Sequence, residues 1–195
     1  MALQDEILDV ARKILIRDGF SKLSMRRIAK QTGVTATSIY LHYKNKDELL
    51  LALVNQSIDR LIEKLENSVN GGTDAIEKLQ LAGKQYLDFA IEHPQEYEII
   101  FVVRPDEMPK FPKQKFQNIR RGYELIAGII EEGVENGLLE EKNPLLAAYT
   151  IWSQLHGAVS VVISKRLDTR IDKQQFLNHA LEHAIEGFVS RKVKV

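Results

Sequence analysis

Residues 24–50, "SMRRIAKQTGVTATSIYLHYKNKDELL", carry three starts and two stops for short helices within 27 positions. Ser24 is an N-cap for "MRRIAKQT", and Gly33 closes that helix. Thr35 caps a second helix, "ATSIYLHY". Asn45 caps a third, whose first turn holds Asp47 and Glu48, where the helix dipole favours acids. Two short helices joined by a short turn containing glycine form a helix-turn-helix pattern. Ile28, Ala29, Val34 and Ile39 face inward and lock the pair, with the ring of Tyr43 added to them. Thr35, Ala36, Thr37, Ser38, Tyr40 and His42 remain outward on the second helix: small or hydrogen-bonding, with no acid among them. Such a helix enters a major groove about 12 Å wide without repulsion. Lys44 and Lys46 follow at its exit, placed for phosphates.

Charge supports this reading. The 195-residue chain has no net charge, yet residues 1–46 carry nine Lys/Arg against four Asp/Glu. A basic head on an acidic body points to a polyanionic partner for the head. There is no cysteine, which excludes disulfide scaffolds, thiolate metal sites and cysteine nucleophiles. The start "MALQDEILDV" lacks the basic and apolar regions of a secretory signal. No run approaches the roughly 20 apolar residues of a membrane span. A cytoplasmic location and no membrane partner are therefore expected.

The rest of the chain reads as helix broken by Gly and Pro. A first helix covers roughly 2–18, ending at Gly19. The helix begun at Asn45 runs to about Val69 with Leu50, Val54, Ile58, Leu61 and Leu65 in one stripe. At 1.5 Å per residue it would be about 36 Å long. Further helices are expected at roughly 73–93, 94–102, 113–136, 143–166 and 172–191, with "RPDEMPKFP" as a loop holding three of the five prolines. The expected fold is all-α with about nine helices. Residues 1–47 are expected to form a three-helix DNA-binding domain and residues 48–195 a larger helical domain, to which the resemblance given next adds ligand binding and dimerisation.

At this point a resemblance enters. "ARKILIRDGF", "SMRRIAKQTGV" and "SIYLHYKNKDELL" make residues 7–53 similar to the DNA-binding domain of the tetracycline-repressor (TetR) family. The last segment is the most specific to that family. The resemblance implies base or groove contacts at Arg26, Thr35, Ala36, Thr37 and Ser38, and phosphate contacts at Tyr40, His42 and Lys46. Ala36-Thr37-Ser38 departs from many relatives, which carry a larger or basic residue or a glycine there, so the base code stays open.

Helix 8, "LLAAYTIWSQLHGAVSVVISK", is apolar nearly all round and is expected to be buried on more than one side. Helix 9 carries Leu177, Leu181, Ala184 and Phe188 on one stripe, flanked by Phe176 and Ala180. Val162, Phe176, Ala180, Ala184 and Phe188 are expected at a two-fold contact of these helices, the usual dimer contact in the resembled family. "WSQLHG" resembles the Trp-His-Gly signature of one C-terminal class of the family. Trp152 and His156, one turn apart, are candidate polar groups in an apolar pocket, with Tyr86, Phe89, Tyr97, Phe101, Phe116 and Tyr123 as further walls. Plain core packing is the competing reading for all eight. Gly122, Gly128 and Gly133 inside helix 7 each cost about 1 kcal/mol relative to Ala, which calls for close packing or room for a ligand. His179 and His183 have a metal-ligating spacing but no cysteine or suitably spaced Glu to complete a set, so neither metal nor cofactor is expected.

The function these readings define is a homodimeric regulator, a repressor bound to a palindromic double-stranded operator and released by a small apolar or amphipathic ligand. The alternatives are an all-helical enzyme or ligand carrier, and an architectural DNA-binder without a ligand. Against an enzyme, the chain has no phosphate loop, nucleophile motif or paired catalytic carboxylates.

Overall fold

The computed structural model describes residues 3–101 and 111–191, with residues 111–116 described by backbone alone. Its helices are α1 (Leu3–Asp18), α2 (Met25–Thr32), α3 (Ala36–His42), α4 (Lys46–Val69), α5 (Ala75–Glu92), α6 (Pro94–Phe101), α7 (Phe111–Glu135), α8 (Pro144–Ile163) and α9 (Lys173–Glu186). The chain forms two compact units, one of Met1–Ile58 with Glu98–Asn118, the other of Asp59–Tyr97 with Ile119–Val195. This is a division by compactness; where DNA binding ends along the chain is a separate matter.

In the first unit, α1 buries Ile7, Ala11 and Ile14 completely, and α2 and α3 add Ile28 and Ile39, also fully buried. The caps fall where the sequence places them. Ser24 accepts from Arg27 N–H at 3.3 Å, Thr35 from Ser38 N–H at 3.2 Å, and Asn45 Oδ1 from Glu48 N–H at 2.8 Å. Glu48 reaches back to Lys44 N–H at 2.7 Å, so that helix start is held from both sides. Gly33 takes a left-handed φ of 75°, which lets the chain turn from α2 into α3. A short 3-10 turn, Phe20–Lys22, precedes α2 and has no counterpart in the sequence reading.

In the second unit, α8 packs on α9 and both pack on α5. By length and composition α8, with 20 residues, does reach the measure of a membrane span, which corrects the expectation that no run comes near it. Within this chain it buries one face, with Ala147, Ala148, Ile151, Leu155, Ala158 and Val159, while Leu145, Leu146 and Tyr149 stand exposed, so the expected burial on more than one side is not met by the single chain. Glycine permits two close approaches. A Cβ on Gly83 would collide with Leu181, and one on Gly133 would lie 2.9 Å from the Cβ of Ala75. Gly128 has open space instead, so close packing accounts for Gly133 but not for Gly128.

Three ends differ from expectation. α7 begins at Phe111, with Pro112 in its first turn, where a missing N–H costs nothing; residues 104–110 of the expected loop lie outside the described residues. α8 stops at Ile163 rather than Arg166. Lys165 adopts a left-handed φ of 57°, while Lys165 N–H bonds Val162 O and Arg166 N–H bonds Val161 O. That paired pattern terminates a helix even without glycine. α9 ends at Glu186 because the next residues leave to pair with the segment after α7. Leu139 and Val189 form an antiparallel bridge, Glu140 N–H donates to Phe188 O at 2.8 Å, and Ser190 N–H donates to Leu138 O at 2.9 Å.

Candidate functional site

The exposed face of α3 is built from the inside out. Ile39 is fully buried and Tyr43 is 3 % exposed, which orients the helix and turns its other sides to solvent. Thr35, Thr37, Tyr40 and His42 are exposed, and Ala36 and Ser38 half-buried. Thr35 and Ser38 also share a hydroxyl contact of 2.9 Å beside the cap. Arg26 is exposed on α2, whereas its neighbour Arg27 is tied to Asp18 at 2.6 Å. Lys44 is exposed. Lys46 is half-buried, donates to Phe20 O at 2.8 Å, and sits 3.5 Å over the Phe20 ring. It therefore anchors the 3-10 turn to the head of α4. The sequence reading omitted Leu41, which stands 82 % exposed on the same helix.

In the second unit six rings form a file. Tyr149 stacks on Tyr123 at 4.0 Å between centroids, and Tyr123 meets the edge of Trp152 at 5.6 Å. Trp152 stacks on His156 at 5.0 Å, His156 on Tyr97 at 5.7 Å, and Tyr97 meets Tyr86 edge-on at 6.0 Å. The file runs from exposed Tyr149 inward to the buried Tyr97 and Tyr86. At its inner end His156 Nδ1 is hydrogen-bonded to the Tyr97 hydroxyl and lies 3.4 Å from that of Tyr86, and the two hydroxyls are 3.2 Å apart. Burial lowers the pKa of His156, which favours the neutral ring, so Nδ1 can accept a phenolic proton. Burial likewise pushes Tyr97 up to about 12 and Tyr86 well above its ordinary value. Tyr149 was missed by the sequence reading; its spacing with Trp152 and His156, one ring per turn on α8, was the available signal.

The other expected pocket residues are dispersed. Phe89 is 1 % exposed and lines a groove of about 410 Å³ with Arg60, Glu63, Lys64, Asn67, His93 and Glu96, away from Trp152 and His156. Phe101 belongs to the first unit, and the side chain of Phe116 lies outside the described residues. Of the expected dimer residues, Val162, Phe176, Ala180 and Phe188 are half-buried within this chain, while Ala184 is 1 % exposed and belongs to the unit's own core. Phe188 lies past the end of α9, in the bridged segment, rather than on a helical stripe. His179 and His183 bring their Nε2 atoms to 3.1 Å. Among the described residues no group of three or more potential ligands could hold a metal ion.

An acid-free exposed helix, locked behind a glycine turn and followed by lysines, defines a helix-turn-helix DNA-binding protein with a helical body. Residues 7–53 match "Bacterial regulatory proteins, tetR family", and residues 79–184 match "Tetracyclin repressor-like, C-terminal domain". The chain belongs to the TetR family and is a ligand-responsive, DNA-binding transcriptional regulator. The Trp-His-Gly class expected from "WSQLHG" is not confirmed by the C-terminal match. The chain is 28 % identical over 185 residues to the fatty acid metabolism regulator protein of Bacillus subtilis (strain 168), covering 93 % of both. In fold it is similar to a protein of unknown function from Rhodococcus sp. RHA1, with a TM-score of 0.85 and 21 % identity over 97 % of each chain. It is similar in the same way to the transcriptional regulator FadR from Bacillus subtilis in complex with stearoyl-CoA, with a TM-score of 0.75 and 24 % identity over 94 % of this chain and 98 % of that one.

Proposed function

We propose that the protein is a homodimeric cytoplasmic repressor, that residues 1–47 hold a palindromic operator through α3, and that a long-chain acyl thioester bound by residues 48–195 releases it. The observation that carries the ligand class is the end-to-end similarity, over 93 % of both chains, to a regulator of fatty acid metabolism. The geometry supports it. An acyl thioester is a long apolar chain with one carbonyl at its polar end. The Tyr86–Tyr97–His156 cluster is a small set of hydroxyl and imidazole groups among the mostly apolar buried side chains of its unit, the kind of polar anchor a mostly apolar site uses to orient its ligand. In this reading Arg26 and residues 35–38 read base edges, while Tyr40, His42, Lys44 and Lys46 hold phosphates; the exposure of Arg26, Thr35, Thr37, Tyr40, His42 and Lys44 supports it, and Lys46 also donates to Phe20 O.

The test is calorimetric titration with stearoyl-CoA, stearate and coenzyme A, paired with operator binding in the presence of each. Stearoyl-CoA should bind and weaken operator binding at least tenfold, and coenzyme A alone should do neither. If no acyl-CoA of any chain length binds, the ligand assignment fails, although the protein remains a DNA-binding regulator.

A further inference from the structure

Leu41 is 82 % exposed, more than any other large apolar side chain among the described residues. A single exposed leucine carries little meaning by itself, but its position does. With 3.6 residues per turn, Thr37 and Leu41 both lie about 160° around α3 from the buried Ile39, one on each side of the outermost ridge. The helix therefore presents this pair furthest from its own core. The ridge holds no acid, and the head around it carries nine basic against four acidic residues over positions 1–46, so its complement is an anionic surface.

The floor of the major groove is almost wholly polar. Its one projecting apolar group is the C5-methyl of thymine; the rest of the floor is donors and acceptors between bare ring C–H edges. A leucine pressed onto an amino group or carbonyl would strip water from it and supply no hydrogen bond in return. Against a thymine methyl it loses nothing and buries apolar surface. We infer that Leu41 is a specificity-determining residue that reads a thymine methyl in each operator half-site. The inference rests on the DNA-binding reading and adds to it an apolar contact beside the polar and small residues 35–38.

The experiment removes the methyl from the DNA alone. An operator is first selected from random DNA with the wild-type protein, and each thymine is then replaced by deoxyuridine. At one position per half-site, wild type should lose about fourfold in affinity, and about fifteenfold when both half-sites are changed, the effect of one buried methyl. Leu41→Ala should bind the thymine operator more weakly and no longer distinguish thymine from uracil there. Leu41→Gln, selected afresh from random DNA, should move the preference at that position from thymine to adenine, whose edge glutamine can pair. If Leu41→Ala still discriminates thymine from uracil at every position, the inference is wrong. It is equally wrong if Leu41→Gln selects the wild-type sequence. If wild type enriches no sequence at all, sequence-specific DNA reading fails, and this inference with it.

Discussion

Lys44 and Lys46 stand two residues apart at the head of α4 but meet different demands. Lys46 ties down Phe20 through its carbonyl and its ring, so Lys46→Ala should cost about 1–2 kcal/mol of stability. It should be visible in a urea titration before any DNA is added. Lys44 is exposed, and Lys44→Ala should leave the urea midpoint unchanged. On DNA it should lower the slope of log affinity against log salt by about 0.9 per lost phosphate contact, nearly two for a dimer. Equal effects of the two variants on stability would refute this division. His156 sets a pH dependence. Its folded-state pKa is lowered by burial, so below the unfolded value of about 6.5 the unfolded chain takes up the proton more readily. The stability from a neutral His156 is complete above that pH and is lost as pH falls through the folded value. The melting temperature should thus fall more steeply between pH 7.5 and 5 for wild type than for His156→Asn, and parallel curves would count against a buried neutral imidazole.

Helix α8 ends on a lysine in a conformation that suits glycine. A left-handed non-glycine residue costs about 1–2 kcal/mol, so Lys165→Gly should stabilise the protein by about 1 kcal/mol in thermal unfolding, with operator affinity unchanged. A lower melting temperature would mean that the lysine side chain contributes more than its backbone costs. This helix end also shows why some boundaries were legible and others were not. Ser24, Gly33, Thr35 and Asn45 act within three or four residues of themselves, so the starts of α2, α3 and α4 could be read from the sequence. Lys165 carries no local mark of the left-handed turn it adopts. The end of α9 is set by bonds to Leu138 and Glu140, some fifty positions away, which no local pattern records. The site divides in the same way. The polar and small face of α3 follows from helical periodicity, and the same periodicity puts Leu41 outward, although a choice by polarity leaves it out. Phe89 and Tyr97 looked equivalent as aromatics at helical spacing; only packing sends one to a groove wall and the other to His156.

For the whole molecule, a two-fold dimer requires an operator with two half-sites centred about 34–36 Å apart, or a multiple of that. A charge at Val162, half-buried on α8, should therefore weaken dimers and operator binding together. Sedimentation of Val162→Asp at micromolar concentration, run beside a DNA titration, checks this. A monomeric variant with wild-type operator affinity would exclude α8 from the dimer contact. The pairing of residues 188–190 with 138–140 has a different consequence, in the order of events on the ribosome. The contacts among α1, α2 and α3 lie within residues 3–42, so these three helices can pack while most of the chain is still unmade, although their compact unit also takes in residues 98–118. The loop after α7 must wait for residues 188–190, some 140 residues behind the helix-turn-helix. At about 5–20 residues per second, that wait is on the order of ten seconds. During synthesis, a nascent chain can therefore carry its three packed N-terminal helices well before the segment after α7 meets its partner.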